Sequence, residues 1–298
     1  MLRPLHLVLT CCLLACSTKE ERPAEAQTAE PVVLQESREQ ISWLSRYDLS
    51  AKPPKQFRLA KKLSEISGLA MTDDGRLICH DDESAMVYQL DYATGSIVKQ
   101  FVFGSGFLEE DFEGIALKGD TMYVASSGGD IFEFPEVADK GRSSFRLFKT
   151  ALSQKNDVEG LEYDPETDCL LVACKADAGE HFRGYKAIYA FSLKTKTLLE
   201  KPRFLIPLKE VKKESARGDF NPSGIARHPV SGTIFIVTAD GESIIEIDRA
   251  GRVLGQEKLP KRTNSQPEGI AFAPDLSLII CNDGQGGTGT LSVYPVVR

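Results

Sequence analysis

The hexapeptide Asp111-Phe-Glu-Gly-Ile-Ala116 decides the fold, because close variants of it recur along the chain. The other four copies are Glu65-Ile-Ser-Gly-Leu-Ala70, Asp157-Val-Glu-Gly-Leu-Glu162, Asn221-Pro-Ser-Gly-Ile-Ala226 and Gln266-Pro-Glu-Gly-Ile-Ala271. Three of the four intervals between their glycines are 45 or 46 residues, and the interval before Gly224 is 64. A period of this length is typical of solenoids and propellers.

Each copy begins a similar series of short segments. A turn rich in Asp, Gly or Pro follows the motif, as in Thr72-Asp-Asp-Gly75, and an apolar run such as Leu170–Cys174 follows the turn. A third segment then alternates apolar and polar residues, as in Ile244–Ile247. Runs of this kind, separated by turn residues, indicate antiparallel strands. Clear fourth segments occur at Ser96–Phe103 and Val253–Leu259.

Four strands in each of five repeats predict an all-β fold, a five-bladed β-propeller of four-stranded antiparallel blades. The last repeat ends after three strands, and the segment Gln56–Leu59, ahead of the first motif, can supply the fourth. We therefore expect an N-terminal strand to close the ring and remove the open edge of the sheet. The longest interval contains two insertions, residues 178–185 and 207–220, and the second has the composition of a short helix on one rim.

The N-terminus predicts a cellular address. Residues 1–15 form a secretory signal with one early cation, Arg3, and an apolar run too short to span a membrane. The sequence Leu13-Leu-Ala-Cys16 resembles a bacterial lipobox, so we expect Cys16 to be lipidated; a plain secretory signal is the alternative. Residues 16–40 lack aromatic residues and predict a disordered tether, which leaves 41–298 for the propeller. Ser17 after the cysteine favours the outer membrane of a bacterial cell envelope.

Composition narrows the function classes. Hydrophobic residues make up 42% of the chain and charged residues 27%, which excludes a disordered chain, a collagen and a multi-span membrane protein. The net charge of −7 and the absence of a basic cluster argue against nucleic-acid binding. We expect contact with a membrane only through the lipid anchor, and an unidentified protein or small molecule as the partner.

With these motifs, the chain resembles the SdiA-regulated family over about residues 41–298, and more distantly the NHL-repeat and phytase-like propellers. The five Ser/Glu-Gly-Ile/Leu motifs, their spacing and the lipoprotein-like start carry the resemblance. It implies a five-bladed propeller with bound calcium. It implies no specific activity.

The motifs themselves suggest a cation site. The residue before each glycine is Ser67, Glu113, Glu159, Ser223 or Glu268, and the residue two positions earlier is Glu65, Asp111, Asp157, Asn221 or Gln266. A propeller places equivalent positions around its channel, and oxygen donors with several carboxylates suit Ca²⁺. The predicted ligands are Glu113, Glu159 and Glu268, with Asp111, Asp157 and Glu65 as weaker candidates. The residues do not decide which of the two sets faces the channel, and capping of backbone amides is the alternative role.

Other polar residues suggest less. A second acidic set follows the second strands, namely Asp81, Asp82, Asp177, Asp240 and Asp283, and is predicted mainly to make turns. Cys79, Cys169, Cys174 and Cys281 are expected as buried thiols without disulfides. His80, beside Asp81, is the one candidate for a general base.

Two functions of different classes remain open. The first is a calcium-stabilised binding module held at the cell envelope. The second is a calcium-dependent hydrolase, either esterase- or lactonase-like or phytase-like, in which the ion polarises a carbonyl or phosphoryl oxygen. A phytase-like reaction is the least favoured, because the motif positions offer no Lys or Arg to hold phosphate.

Overall fold

A computed structural model describes residues 41–104, 108, 110–176, 178–211, 220–240 and 242–297. The predicted signal, Cys16 and the tether lie outside the described residues, as does most of the predicted helix at 207–220. Within this part of the chain the helices are three short 3₁₀ turns, Leu44–Arg46, Lys61–Leu63 and Glu180–Phe182. No helix found there is long and apolar enough to cross a membrane.

The remaining elements are short β-strands. The first five are β1 (Lys55–Arg58), β2 (Ile66–Met71), β3 (Leu77–Asp81), β4 (Met86–Asp91) and β5 (Ser96–Phe103). The next five are β6 (Phe112–Lys118), β7 (Thr121–Ser126), β8 (Ile131–Pro135), β9 (Arg142–Ser143) and β10 (Arg146–Phe148). Then follow β11 (Val158–Asp164), β12 (Cys169–Cys174), β13 (Tyr185–Ser192), β14 (Thr197–Leu198) and β15 (Phe204–Pro207). The last seven are β16 (Pro222–Arg227), β17 (Ile234–Thr238), β18 (Ser243–Ile247), β19 (Val253–Lys258), β20 (Pro267–Phe272), β21 (Leu278–Asn282) and β22 (Thr290–Tyr294).

These strands form five separate sheets, which are the blades of a five-bladed β-propeller. Blade 1 is β2–β5 with β9 added in parallel at its outer edge, and blade 2 is β6, β7, β8 and β10. Blade 3 is β11–β13 with β14 and β15 sharing its outer edge, and blade 4 is β16–β19. The predicted class, blade number and strand order are confirmed.

The ring closes as the sequence predicts. Blade 5 consists of β20, β21 and β22 from the C-terminal repeat, and β1 completes it from the N-terminal side. The pairing is antiparallel, with Lys55 opposite Val293 and Arg58 opposite Thr290. The outer edge of β22 is therefore paired rather than exposed.

Packing between blades produces the core. The buried apolar residues fall into five clusters, each shared by two neighbouring blades. Aromatic stacking fills the largest gaps: the rings of Phe103 in blade 1 and Phe134 in blade 2 lie parallel with centroids 4.2 Å apart. Ahead of the blades, the ring of Trp43 packs on that of His228 with centroids 4.3 Å apart.

The motif glycines bring the five inner strands close together. A Cβ atom on Gly224 would lie 2.2 Å from the carbonyl oxygen of Glu268 in the next blade, and one on Gly114 would lie 2.4 Å from the backbone nitrogen of Leu161. Gly68, Gly160 and Gly269 meet the following blade in the same way. Only glycine permits this approach, so the channel at the level of the motifs is very narrow.

Candidate functional site

The residue before each motif glycine lies in an irregularity of its inner strand. In each blade the pairing between the first and second strands shifts register at this point, as between Val158 and Gly160 on either side of Glu159. A bulge redirects the side chain that it contains. The sequence left open which of the two motif sets faces the channel, and the lining of the axial cavity answers this question. Glu113, Glu159 and Glu268 line a cavity of about 10 Å³ among the motif glycines on the propeller axis.

The two serines at the equivalent position connect neighbouring blades. The hydroxyl of Ser67 donates to the carbonyl oxygen of Glu113 at 2.8 Å and lies 3.1 Å from its carboxylate. The hydroxyl of Ser223 donates to the carbonyl oxygen of Pro267 at 2.6 Å. Both serines therefore satisfy backbone oxygens, whereas the expected alternative was capping of backbone amides.

Each glutamate of this set has a different neighbour. Glu113 contacts Ser67, and Glu268 accepts a hydrogen bond from the Gln266 amide at 3.0 Å. Glu159 forms a salt bridge with Lys175, whose Nζ lies 2.7 Å from Oε1. We call Glu113, Glu159 and Glu268 together with Ser67 and Ser223 the carboxylate ring.

Lys175 is the functional residue that the sequence reasoning missed. It directly follows β12, at a position held by Asp82, Ser127, Ala239 and Asp283 in the other blades. The signal was available, because Lys175 is the one cation among these five equivalent residues. It gives the carboxylate ring one positive charge from the protein itself.

The carboxylate ring is electrostatically unfavourable when fully ionised. Burial raises the pKa of Glu113 well above its usual range, and the neighbouring charges of Glu159, Asp111 and Glu268 raise it further. Burial and Glu159 raise the pKa of Glu268 in the same way. Burial also raises the pKa of Glu159, although Lys175 opposes this effect. Among the described residues, Glu113 and Glu268 thus have no cationic partner of their own.

The earlier motif residues Glu65, Asp111 and Asp157 directly precede β2, β6 and β11 and are not among the residues that line the axial cavity. Their carbonyl oxygens pair with the amides that follow the second strands, as between Asp157 and Lys175 at 2.7 Å. Glu65 lies close enough to Glu83 for that charge to raise its pKa. We call this end of the channel the motif mouth.

The second acidic set divides between turns and the motif mouth. Asp81 accepts hydrogen bonds from Ser84, and Asp283 accepts one from the Gln285 amide at 2.6 Å, so both make turns as predicted. Asp82 differs. Its Oδ1 is buried without a hydrogen bond from any described residue, and burial beside Glu65 raises its pKa to about 7. Asp177 lies outside the described residues.

An open cleft adjoins this part of the motif mouth. Asp82, Glu83, Glu110, Asp111 and Gln154 line it, and its volume is about 680 Å³. The cleft contains four carboxylates, so the surface around the channel entrance is strongly acidic.

His80 and the cysteines belong to the core. His80 is fully buried, and burial lowers its pKa to about 4. A substrate cannot reach it, which removes the candidate general base. All four cysteines of the described chain are free and buried, as expected.

The donor atoms of the carboxylate ring suit a hard cation, but their present placement does not hold one. The carboxylate ring offers oxygen ligands, which a hard cation such as Ca²⁺ prefers, and its cavity is about the size that holds one water molecule. Within the described ranges, however, no group of three or more His, Cys, Asp or Glu side chains is placed closely enough to hold a metal ion. Ion binding at the ring would thus exchange the present hydrogen bonds of the carboxylates for coordination.

Comparison with known proteins confirms the architecture. No family model matches the chain, and no curated protein matches it significantly in sequence. Among solved structures, a glutaminyl cyclase from Myxococcus xanthus superposes with a TM-score of 0.59 at 14% identity, over 83% of this chain and 97% of that chain. A luciferin-regenerating enzyme superposes with a TM-score of 0.50 at 12% identity, over 81% and 95%. At such identity these similarities establish the fold alone.

Proposed function

We propose that the protein is a calcium-binding β-propeller that acts as a binding module, with the ion held in the carboxylate ring by Glu113, Glu159 and Glu268. The observation that carries the proposal is the convergence of the buried Glu159 and the half-buried Glu113 and Glu268, from blades 3, 2 and 5, on one small axial cavity. Calcium accepts several oxygen ligands in irregular geometry, which suits side chains contributed by separate blades.

Charge balance supports a divalent cation. If all three carboxyl groups are ionised, the ammonium group of Lys175 leaves two uncompensated negative charges in the ring, which accounts for the raised pKa values of Glu113 and Glu268. Buried charges are costly unless they are paired or bind a metal. One Ca²⁺ ion supplies the missing charge. Bound there, it would link three blades through their inner strands and stabilise the ring.

The rest of the proposal concerns location and partner. A lipid on Cys16 would hold the propeller at the bacterial cell envelope, on the outer membrane, with residues 16–40 as a tether. The acidic motif mouth would then be available to a protein or small-molecule partner. The net charge of −7 supports attachment through the lipid rather than through anionic headgroups.

Calcium titration tests the ion. At a calcium concentration about a hundredfold above the dissociation constant, the free energy of unfolding of the chelator-treated protein should rise by about 2.7 kcal/mol. Thermal melting and calorimetry measure this shift. Glu113→Gln should abolish most of it, because the amide removes one charged ligand and keeps the size of the side chain.

Glu133→Gln is the matched control. Glu133, on β8, is a buried glutamate of blade 2 that does not line the axial cavity. It forms salt bridges with Arg146 and Lys196 instead. This variant should retain the full calcium shift. Absence of a shift in the unsubstituted protein, or an equal shift in Glu113→Gln, would refute the site.

One observation favours a hydrolase as the second candidate. Asp82 is a half-buried carboxyl group with a pKa of about 7 in the open cleft of the motif mouth. A group with such a pKa can act as a general base near neutral pH. Screening of ester and lactone substrates with Asp82→Asn as the control tests this alternative.

A further inference from the structure

The opposite end of the channel holds a second cavity, distinct from the carboxylate ring. We call it the far mouth. Its volume is about 300 Å³, and residues from all five blades line it. That volume is at the lower end of the range for small-molecule sites. Glu162 of blade 3 lies there, three residues beyond Glu159 on the same strand.

The walls of the far mouth divide into an apolar and a polar side. Blades 1, 2 and 5 contribute Met71, Leu117 and Phe272, and Leu276 follows in the loop after β20. Blades 3 and 4 contribute Glu162 and Arg227. Asp73 is exposed at the rim. Such a cavity suits a small molecule with an apolar body and one polar end.

Arg227 supplies the positive charge of the polar side. Its Nη2 lies 2.8 Å from Oε1 of Glu166, whose side chain is 53% exposed. The buried Asp164 forms a longer ion pair with Arg227, 3.9 Å from its Nε, and a closer one with Arg249 at 2.6 Å. Nε of Arg227 is buried and has no hydrogen-bond acceptor among the described residues. The guanidinium group therefore keeps one donor, Nε, that no described residue satisfies.

Glu162 does not cancel that charge. Burial raises the pKa of its carboxyl group to about 8, so the group is mostly protonated at neutral pH. The backbone amide of Arg227 donates a hydrogen bond to it. A protonated carboxyl group donates through its O–H, and a neighbouring guanidinium group provides planar donors for an anionic oxygen pair.

We propose that the far mouth binds a small monocarboxylate, with its carboxylate group against Arg227 and Glu162 and its apolar body against Met71, Leu117 and Phe272. The cavity lies at the lower end of the range for small-molecule sites, which favours a ligand of one ring or one short chain. Short-chain aliphatic acids and single-ring aromatic acids have this size and chemistry.

Ligand-observed NMR and calorimetry with benzoate and hexanoate test the proposal. Both acids should bind the full-length protein. Benzamide and benzylamine should bind at least about tenfold more weakly, because they lack the negative charge that Arg227 recognises. Arg227→Gln should weaken benzoate binding by a similar factor. Leu117→Trp, at the half-buried wall, should also weaken it by filling the cavity.

Arg252→Gln is the matched control, because Arg252 belongs to the same blade but pairs with Asp248 outside the cavity. It should bind benzoate as the unsubstituted protein does. The proposal is overturned if neither acid binds at millimolar concentration, or if Arg227→Gln and Leu117→Trp both leave the affinity unchanged. Melting curves of each variant confirm that the fold is intact.

Discussion

Blades 1 and 4 differ from blades 2, 3 and 5 in one residue of an otherwise shared motif. All five inner strands have the same register shift and the same close approach of a glycine to the next blade. In blades 1 and 4 the side chain in the shift is a serine, which binds a carbonyl oxygen of the next blade. In the other three it is a glutamate facing the axis.

The difference separates what the backbone requires from what the side chain adds. The glycine and the bulge set the geometry of every blade, and they tolerate either residue beside them. Serine adds a neutral hydrogen bond between blades. Glutamate adds a buried charge, which needs a proton, Lys175 or a cation to balance it.

Substitution of the shared glycine should have the largest effect. Gly224→Ala and Gly114→Ala place a Cβ atom within 2.4 Å of backbone in the next blade, and overpacking of this kind costs about 1–3 kcal/mol. Both variants should lie at the upper end of that range, whichever residue precedes the glycine. Urea denaturation measures the loss.

Gly128→Ala is the control for these variants, because the nearest heavy atom to its added Cβ is 3.6 Å away. It should leave the free energy of unfolding nearly unchanged. A much larger cost in one class of blade than in the other would show that the shared backbone role is wrong.

Loss of Lys175 should destabilise the protein only through the blades that carry a glutamate before the motif glycine. Lys175→Met leaves Glu159 without its cation, and we expect a cost of about 2 kcal/mol without calcium, below the 3–5 kcal/mol of a fully buried pair. The smaller value follows because 32% of the Lys175 side chain is exposed. Glu159→Gln in the same chain should recover most of the loss. Lys118→Met, which breaks the exposed pair with Asp168, should cost far less.

The smallest effects should differ in their pH dependence. Ser223→Ala removes a neutral hydrogen bond and should cost about 1 kcal/mol at every pH. Glu113 has a raised pKa in the folded protein, so the folded state binds more protons than the unfolded state above the usual carboxyl range. Stability without calcium should therefore fall as the pH rises from about 7 to 8.

Glu113→Gln should make this fall of the unfolding free energy with pH less steep, by up to about 1.4 kcal/mol per pH unit, which is the value for one proton. The two buried histidines do not interfere, because their pKa values are lowered to about 4 and the unfolded histidines have already lost their protons above pH 7. Equal slopes in Glu113→Gln and Ser223→Ala would remove the distinction between the two kinds of blade.

The architecture could be predicted from the sequence because each repeat contains the same short-range signals. The glycine motif, the turn after it and the alternating third strand recur in each blade, and the short last repeat identified β1 as the closing strand. The residues of the carboxylate ring could also be predicted from the sequence, because equivalent positions of a propeller meet at its axis.

Other properties depend on tertiary contacts that no local pattern encodes. The register shift at Glu159 depends on the pairing of two strands, so the sequence of one strand does not reveal it. The charge of Lys175 reaches the ring from the end of a different strand. The far mouth combines Glu162 with Arg227 and Met71 from blades distant in sequence, so its polar and apolar sides appear only in the folded ring.

The pairing of β1 with β22 also affects when the protein can fold during its synthesis. The two partners stand near opposite ends of the propeller sequence, so a contact between residues distant in sequence completes the fold. At ordinary rates of synthesis, β1 emerges on the order of tens of seconds before β22. Until then blade 5 lacks β22, the strand with which β1 pairs, and the ring cannot close. Closure of the propeller is thereby coupled to synthesis of β22.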